Sequence, residues 1–380
     1  MRIRTLTAGL RFIPGHMEEA IGNSAEVLKE LKDAYEGSGI EVQTVRLSTD
    51  VWGAQKEEDI RSIIANVREL EKMARSSGID FVSIGPAATT DAIALIPSII
   101  EATSITCASA LTADTSGRPL PGNILEAARA VKAISTIAKD GSKNFMFASI
   151  ARCPEDIPFF PASYHRNDDP SLTIGLENGD IVMEAVERAS SLEETGRMLV
   201  HLYEKELEGI DEVLRSSIGD GRIKSMDLSL APGLEESASI ALAVQKMIDA
   251  PFGSQGTLSA CSSLTSSLRS VKYRPGGYSG LMLPVLEDEG LGRCADLGDL
   301  EVQKLLLYSA VCGTGLDAVP LPGDSPITKL ASTILDMSSL AVKLDKPLSA
   351  RLLPIPGKGP GEMTGLSSPY LRNCSILELR

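Results

Sequence analysis

Short apolar runs and amphipathic segments alternate along residues 1–150. Five runs, 3–9, 41–47, 81–85, 105–111 and 144–150, read as strands. Between them, apolar residues return every three or four positions. Ile21, Leu28, Leu31 and Tyr35 share one helical face, and Gly37-Ser38-Gly39 supplies a C-terminal stop. Further helices are expected over 56–73, 91–102 and 123–138. Alternation of this kind predicts a parallel sheet with right-handed crossovers.

The pattern breaks after residue 150. The stretch ARCPEDIPFFPASYHRNDDPSLTIGL holds Pro154, Pro158, Pro161 and Pro170, and reads as an ordered loop or lid, or an excursion between two halves. A long helix follows, with Leu199, Tyr203, Leu207, Ile210 and Leu214 on one face. Alternation then resumes, with strands expected at 224–231, 281–286, 316–321 and 348–353 and helices at 235–248, 300–311 and 327–342. The Ser/Gly-rich stretch 253–280 shows no clear period and reads as a loop threading past the core or a mobile flap. The organisation expected is a first α/β half over 1–150, an excursion over 151–222, and a second α/β half with a C-terminal loop over 223–380, all in one integrated domain.

Composition sharpens this picture in three ways. Aromatic residues are only 4% of the chain, so aliphatic side chains must do most of the packing, as in helix-covered parallel sheets. The net charge of −14, without a dense basic run, excludes a nucleic-acid footprint and disfavours an anionic membrane surface. No apolar run approaches the ~18 residues of a membrane span. The opening MRIRTLTAGL lacks a signal-peptide core, and the six cysteines form no close pair. Reduced thiols in a cytoplasmic protein are therefore expected, and a homodimer is the commonest assembly for such a chain.

Charges inside apolar strands carry the chemical signal. In 224–231 the two-residue period places Met226, Leu228 and Leu230 on one face and Asp227 and Ser229 on the other. Arg4, Asp317 and Arg351 lie in other strands. Buried charges need partners, so these residues form either an internal ion-pair network or the lining of a ligand site. As a site, Arg4, Arg274 and Arg351 would clamp a small carboxylate or phosphate, with Asp227 or Asp317 as the base. Gly and Pro follow three strands at Gly85-Pro86, Pro232-Gly233 and Pro322-Gly323, just before helices, where anions bind or where Thr90, Asp91 and Asp324 simply cap.

Other motifs are weaker. Lys358 in PIPGKGPGE is not a Walker A lysine, because Leu352 and Gly359 occupy the positions of its first Gly and its Ser/Thr, yet it could hold an anion. His165, close to Arg166 and Asp169, is the best histidine for acid–base work. No HxxxH, HExxH or G-x-S-x-G is present, so the sequence names no cofactor. Magnesium or calcium on Asp227, Asp317 and Asp324 is an alternative site chemistry.

Together RIRTLTAGL, DLSLAP at 227–232, GGYSG at 276–280, GLDAVPLPGD at 315–324 and KPLSARLLPIPGKGPGE at 346–362 resemble the family called domain of unknown function 711, the UPF0210 proteins. The resemblance spans nearly the whole chain. It implies a ten-stranded α/β barrel of the pyruvate-formate-lyase-like type, in two halves of about five strand–helix units. In such a barrel the strand charges face inward, and Cys261 would sit on a finger loop as a nucleophile or acid. Tyr278 joins the ligand-binding set through Arg274-Pro275-Gly276-Gly277-Tyr278, which echoes a glycyl-radical loop. About a hundred residues follow Tyr278, whereas that loop lies near a C-terminus, so no radical chemistry is expected. The resemblance also implies a partner with an ACT domain, in an amino-acid-responsive complex, as the alternative to an enzyme.

Overall fold

The first half of the chain folds as the alternation predicts, with β1 (Arg2–Gly9), α1 (Glu18–Gly37), β2 (Val42–Ser48), α2 (Ile60–Ser76), β3 (Phe81–Ala87), α3 (Thr90–Ala102), β4 (Thr106–Leu111), α4 (Pro121–Ile134) and β5 (Phe147–Ala151). The computed structural model describes residues 1–53, 60–114, 116–219, 223–273 and 275–380. The expected start of the second helix at 56 lies outside them. Residues 144–146, expected to open the last strand, form a 3-10 turn instead.

The second half holds β6 (Ser171–Glu177), α5 (Gly179–Arg188), α6 (Leu192–Ser217), β7 (Ile223–Asp227), α7 (Ile240–Ile248), α8 (Thr257–Leu268), β8 (Pro275–Gly276), α9 (Glu289–Asp296), α10 (Val302–Tyr308), β9 (Gly315–Pro322), α11 (Ile327–Leu344) and β10 (Leu348–Ile355). Three expectations are corrected here. The excursion contributes a strand, β6, paired along β1. The supposed flap at 253–280 contains α8, which buries Ala260, Cys261, Leu264 and Leu268 at helical spacing. The strand expected at 281–286 makes only single bridges, Leu230 to Leu281 and Pro284 to Asp317, because Pro284 has no N–H for a ladder.

The ten strands form one sheet in the order β8-β7-β6-β1-β2-β3-β4-β5-β10-β9. Pairing is parallel except at β1/β6 and β5/β10. Two five-strand halves therefore run in opposite directions and meet at those joints. The ladder is not closed. Chain 280–285 spans the gap between edge strands: Leu230 N–H donates to the Gly280 carbonyl (2.8 Å), and Val285 N–H to that of Asp317 (3.1 Å). No helix among the described residues is long and apolar enough to cross a membrane.

The segment expected as a loop or lid is instead a plug on the inner face of the sheet. Residues 156–158 and 160–165 are buried. Ser83 Oγ donates to the Ser163 carbonyl (2.7 Å), and His165 N–H to that of Thr49 (2.9 Å). A Cβ at Gly175 would lie 2.9 Å from Thr5 and 3.5 Å from Pro158, so β6 needs glycine where β1 and the plug approach.

Asp288 ties the gap-spanning chain to the helical layer. Its carboxylate accepts from Ser239 Oγ (2.6 Å) and from the N–H groups of Ile240 (2.8 Å), Ala241 (3.1 Å) and Leu291 (3.1 Å). It thus caps both α7 and α9. Asp288→Ala is expected to lower the unfolding free energy by about 2–4 kcal/mol, seen as a lower urea midpoint at unchanged slope. A loss under about 0.5 kcal/mol would show that water replaces these bonds without cost.

Candidate functional site

Register shifts bring charged side chains together on the inner face. Ile3 pairs with Leu176 and Thr5 with Gly175, so Arg4 is an extra residue on β1. On β9, Asp317 and Ala318 together oppose the single Arg351 of β10, and Ala318 adopts φ +46. Bulges of this kind re-aim side chains beside functional sites. They let Arg4 and its neighbour Thr5 both line one small cavity. Asp227, Asp317, Glu287, Arg46 and Arg351 share this lining, with Phe81, Phe145, Phe159 and Phe160 as apolar walls.

The ion pairs form a connected chain. Arg2 meets Glu177 at 2.7 Å, Arg4 lies 3.8 Å from Glu177, and Arg4 also donates to Glu287. Arg351 donates through Nη2 to Glu287 (2.5 Å) and through Nε to Asp317 (2.7 Å). Its guanidinium stacks 4.2 Å from the Phe145 ring centroid and 5.4 Å from that of Phe159. Burial works against the charge of Glu287, but Arg351 and Arg4 outweigh it and hold the carboxyl below its usual range. Burial, assisted by Glu287, pushes Asp317 up despite Arg351. Two carboxylates sharing one guanidinium therefore differ in proton affinity.

Arg46 stands apart. Its Nε donates to Thr44 Oγ1 (2.8 Å), and the guanidinium lies over Phe160 (5.0 Å) and Phe81 (5.4 Å). No carboxylate among the described residues forms an ion pair with it. Burial, then repulsion from Arg4, lowers its pKa to about 10. The nearby Cys107 thiol is pushed up to about 12 by burial.

Of the residues predicted from sequence, Arg4, Asp227, Asp317 and Arg351 converge on the cavity. Asp227 is already bonded to four protein donors, however. It accepts from Ser229 N–H (2.9 Å), Ser229 Oγ (2.6 Å), Tyr278 N–H (3.0 Å) and Ser279 N–H (3.0 Å). Gly277, at φ +63, lets the loop pass its carboxylate. Tyr278 sits behind the wall, its ring 5.2 Å from Phe159 and its hydroxyl 3.3 Å from the Cys153 sulfur.

The other predicted residues lie elsewhere. Cys261 is not on a finger loop: it faces the apolar core from α8, its thiol pushed up by burial and then by Cys312. Asp324 is exposed. Lys358 Nζ donates to the carbonyls of Met363 (2.7 Å) and Thr364 (2.8 Å), bracing its own loop. Arg274 lies outside the described residues. Among those residues no group of His, Cys, Asp and Glu is arranged to hold a metal ion. Arg46 and Glu287 escaped the sequence reading. Arg46 carries the same signal as Arg4, a charge between Val45 and Leu47 in an apolar strand, whereas Glu287 lies in irregular chain with no periodicity to mark it.

An α/β sheet of two opposed five-strand halves, enclosing a buried arginine–carboxylate cavity, defines the class of protein. The family model described as Uncharacterised ACR (DUF711) matches residues 1–367, and the chain belongs to that family. It is similar to UPF0210 proteins of Pyrobaculum arsenaticum (29% identity over 356 residues, 88% of this chain and 78% of the relative) and Carboxydothermus hydrogenoformans (30% over 316 residues, 77% and 69%). A third, from Methanopyrus kandleri, is 27% identical over 379 residues, covering 92% of this chain and 82% of the relative. Among solved structures, an anaerobic ribonucleotide reductase aligns over 92% of this chain and 70% of its own, at 10% identity and a TM-score of 0.41.

His165, read from sequence as an acid–base candidate, anchors the plug instead. Nδ1 lies 2.8 Å from Asp156 Oδ1 and Nε2 lies 3.0 Å from the Asp169 carbonyl, so both ring nitrogens face acceptors. Ser171 Oγ adds a bond to the same Asp156 oxygen (2.6 Å). Burial opposes the imidazolium, but the Asp156 carboxylate prevails and raises the pKa above the usual 6.5. Burial likewise opposes the Asp156 charge, and its bonds to His165 and Ser171 lower that carboxyl below 3.8. The raised His165 contributes stability fully below 6.5 and loses it as pH rises through its folded pKa. The lowered Asp156 contributes above 3.8 and loses it as pH falls. The stability gap between wild type and His165→Gln should therefore shrink as pH climbs from about 6 to about 9. A gap that stays constant in urea titrations over that range would show the histidine to be neutral.

Proposed function

We propose that this protein is an enzyme acting on a small carboxylate or phosphate compound in the inner cavity, without a glycyl radical. The observation that carries this reading is the pair Glu287 and Asp317 on one guanidinium, lining a cavity that also presents Arg46. Neighbouring carboxyl groups with proton affinities driven apart are the usual arrangement for acid–base work. In this reading Asp317 exchanges a proton with the bound compound, Glu287 stays ionised and fixes Arg351, and Arg46 holds the anion. Cavities lined by charges are costly to maintain, which favours a site in use over passive packing. The loop of Gly277 and Tyr278 serves as a brace for Asp227, which supports chemistry without a radical on that loop.

A thermal-shift panel of small carboxylates and phosphates tests the reading. A true ligand at about 100 times its Kd stabilises the folded state by about 2.7 kcal/mol, so it raises Tm measurably. Asp317→Asn should keep the fold and the binding shift while conversion of the hit, followed by proton NMR, falls by on the order of 100-fold or more. An empty panel, or unimpaired conversion by Asp317→Asn, would overturn the assignment.

A further inference from the structure

One guanidinium at the cavity has no carboxylate in ion-pair contact among the described residues. Arg2, Arg4 and Arg351 each meet at least one carboxylate among Glu41, Glu177, Glu287 and Asp317. Asp227 accepts from four neutral protein donors and forms no ion pair with an arginine among the described residues. Arg46 is the exception, charged at neutral pH with its pKa near 10 and, among the described residues, bound only through Nε and two ring faces. A partly buried guanidinium with no carboxylate in contact is costly, and its planar fork of donors matches a carboxylate.

The walls select the rest of the ligand. The chain has seven Phe residues, and four of them, Phe81, Phe145, Phe159 and Phe160, line this cavity. In a protein with so few aromatics, that concentration makes the pocket beyond Arg46 apolar and rigid. A phosphate monoester brings about 1.5–2 negative charges at neutral pH, and a dicarboxylate brings two, against a single guanidinium without a carboxylate in contact. We infer that the ligand of this cavity is a monocarboxylate with an apolar body, its carboxylate held by the Arg46 guanidinium where that group stacks on Phe81 and Phe160. The inference rests on the reading of the cavity as a small-anion site and narrows it to one class.

Calorimetric titration of the full chain with benzoate and isovalerate, beside succinate and inorganic phosphate, tests it. The monocarboxylates should bind with one-to-one stoichiometry, and succinate and phosphate on the order of tenfold more weakly or worse. Arg46→Gln, with its fold checked by circular dichroism and Tm, should lose on the order of tenfold or more of the monocarboxylate affinity. Arg46→Lys retains the charge without the fork and should fall between; it serves as the deciding variant if Arg46→Gln does not fold. Undiminished monocarboxylate binding by both variants would overturn the role of Arg46. Phosphate binding as tight as benzoate, and lost in Arg46→Gln, would overturn the class while sparing the small-anion reading. Absence of binding by all four probes would overturn the monocarboxylate class, and the thermal-shift panel would then decide whether the broader reading also fails.

Discussion

A guanidinium taken out of water costs several kcal/mol unless carboxylates and acceptors replace its hydration. Arg351 meets that demand with Asp317 from the neighbouring strand β9 and Glu287 from the chain that spans the open side of the sheet. Glu287 in turn neutralises Arg4 on β1. The pairing thus joins β9, β10, β1 and the gap-spanning chain on one inner face. Asp288, the next residue, is bonded to two helix starts, so the position of Glu287 is fixed from behind. The electrostatic centre and the helical layer are secured by adjacent residues.

The plug completes the enclosure. Without the tip of segment 156–165, the arginines would face a broad, wet interior where the effective dielectric weakens every pair. Phe159 and Phe160 supply two of the cavity's four rings, and they arrive from a loop whose base is held by His165, Asp156 and Ser171. The cavity's apolar character therefore depends on the buried pair of His165 and Asp156 near the ends of β1 and β2.

Strand–helix alternation was legible over residues 1–150 because each element there is long and strongly periodic. β6 and α8 were obscured for a compositional reason: proline-rich chain leads into the first, and serine dilutes the apolar stripe of the second. The two residues of β8 are too few to leave any period. Arg4, Asp317 and Arg351 stood out as charges within apolar strands, and Arg46 offered the same mark. Glu287 lacked it, because its burial follows from chain that crosses the sheet gap after Pro284. The resemblance to a finger loop misplaced Cys261, since the helical spacing of Ala260, Leu264 and Leu268 puts that thiol in the core.

Asp227 and Asp317 show why residue type and burial do not assign a chemical role. Both are almost fully buried on the inner face of the sheet, and burial pushes both carboxyls up. Asp227 accepts from Ser229 and from the amides of Tyr278 and Ser279, four neutral donors that hold it in the wall. Asp317 meets a single guanidinium that it shares with Glu287, and its second oxygen makes no protein hydrogen bond among the described residues. Proton exchange needs a carboxyl whose charged and neutral forms are both tolerable where it sits. Sharing Arg351 provides that for Asp317, because the guanidinium keeps Glu287 as its counter-charge when Asp317 is protonated. A network with one more carboxylate contact than Arg351 requires can thus take up a proton without leaving that guanidinium unpaired.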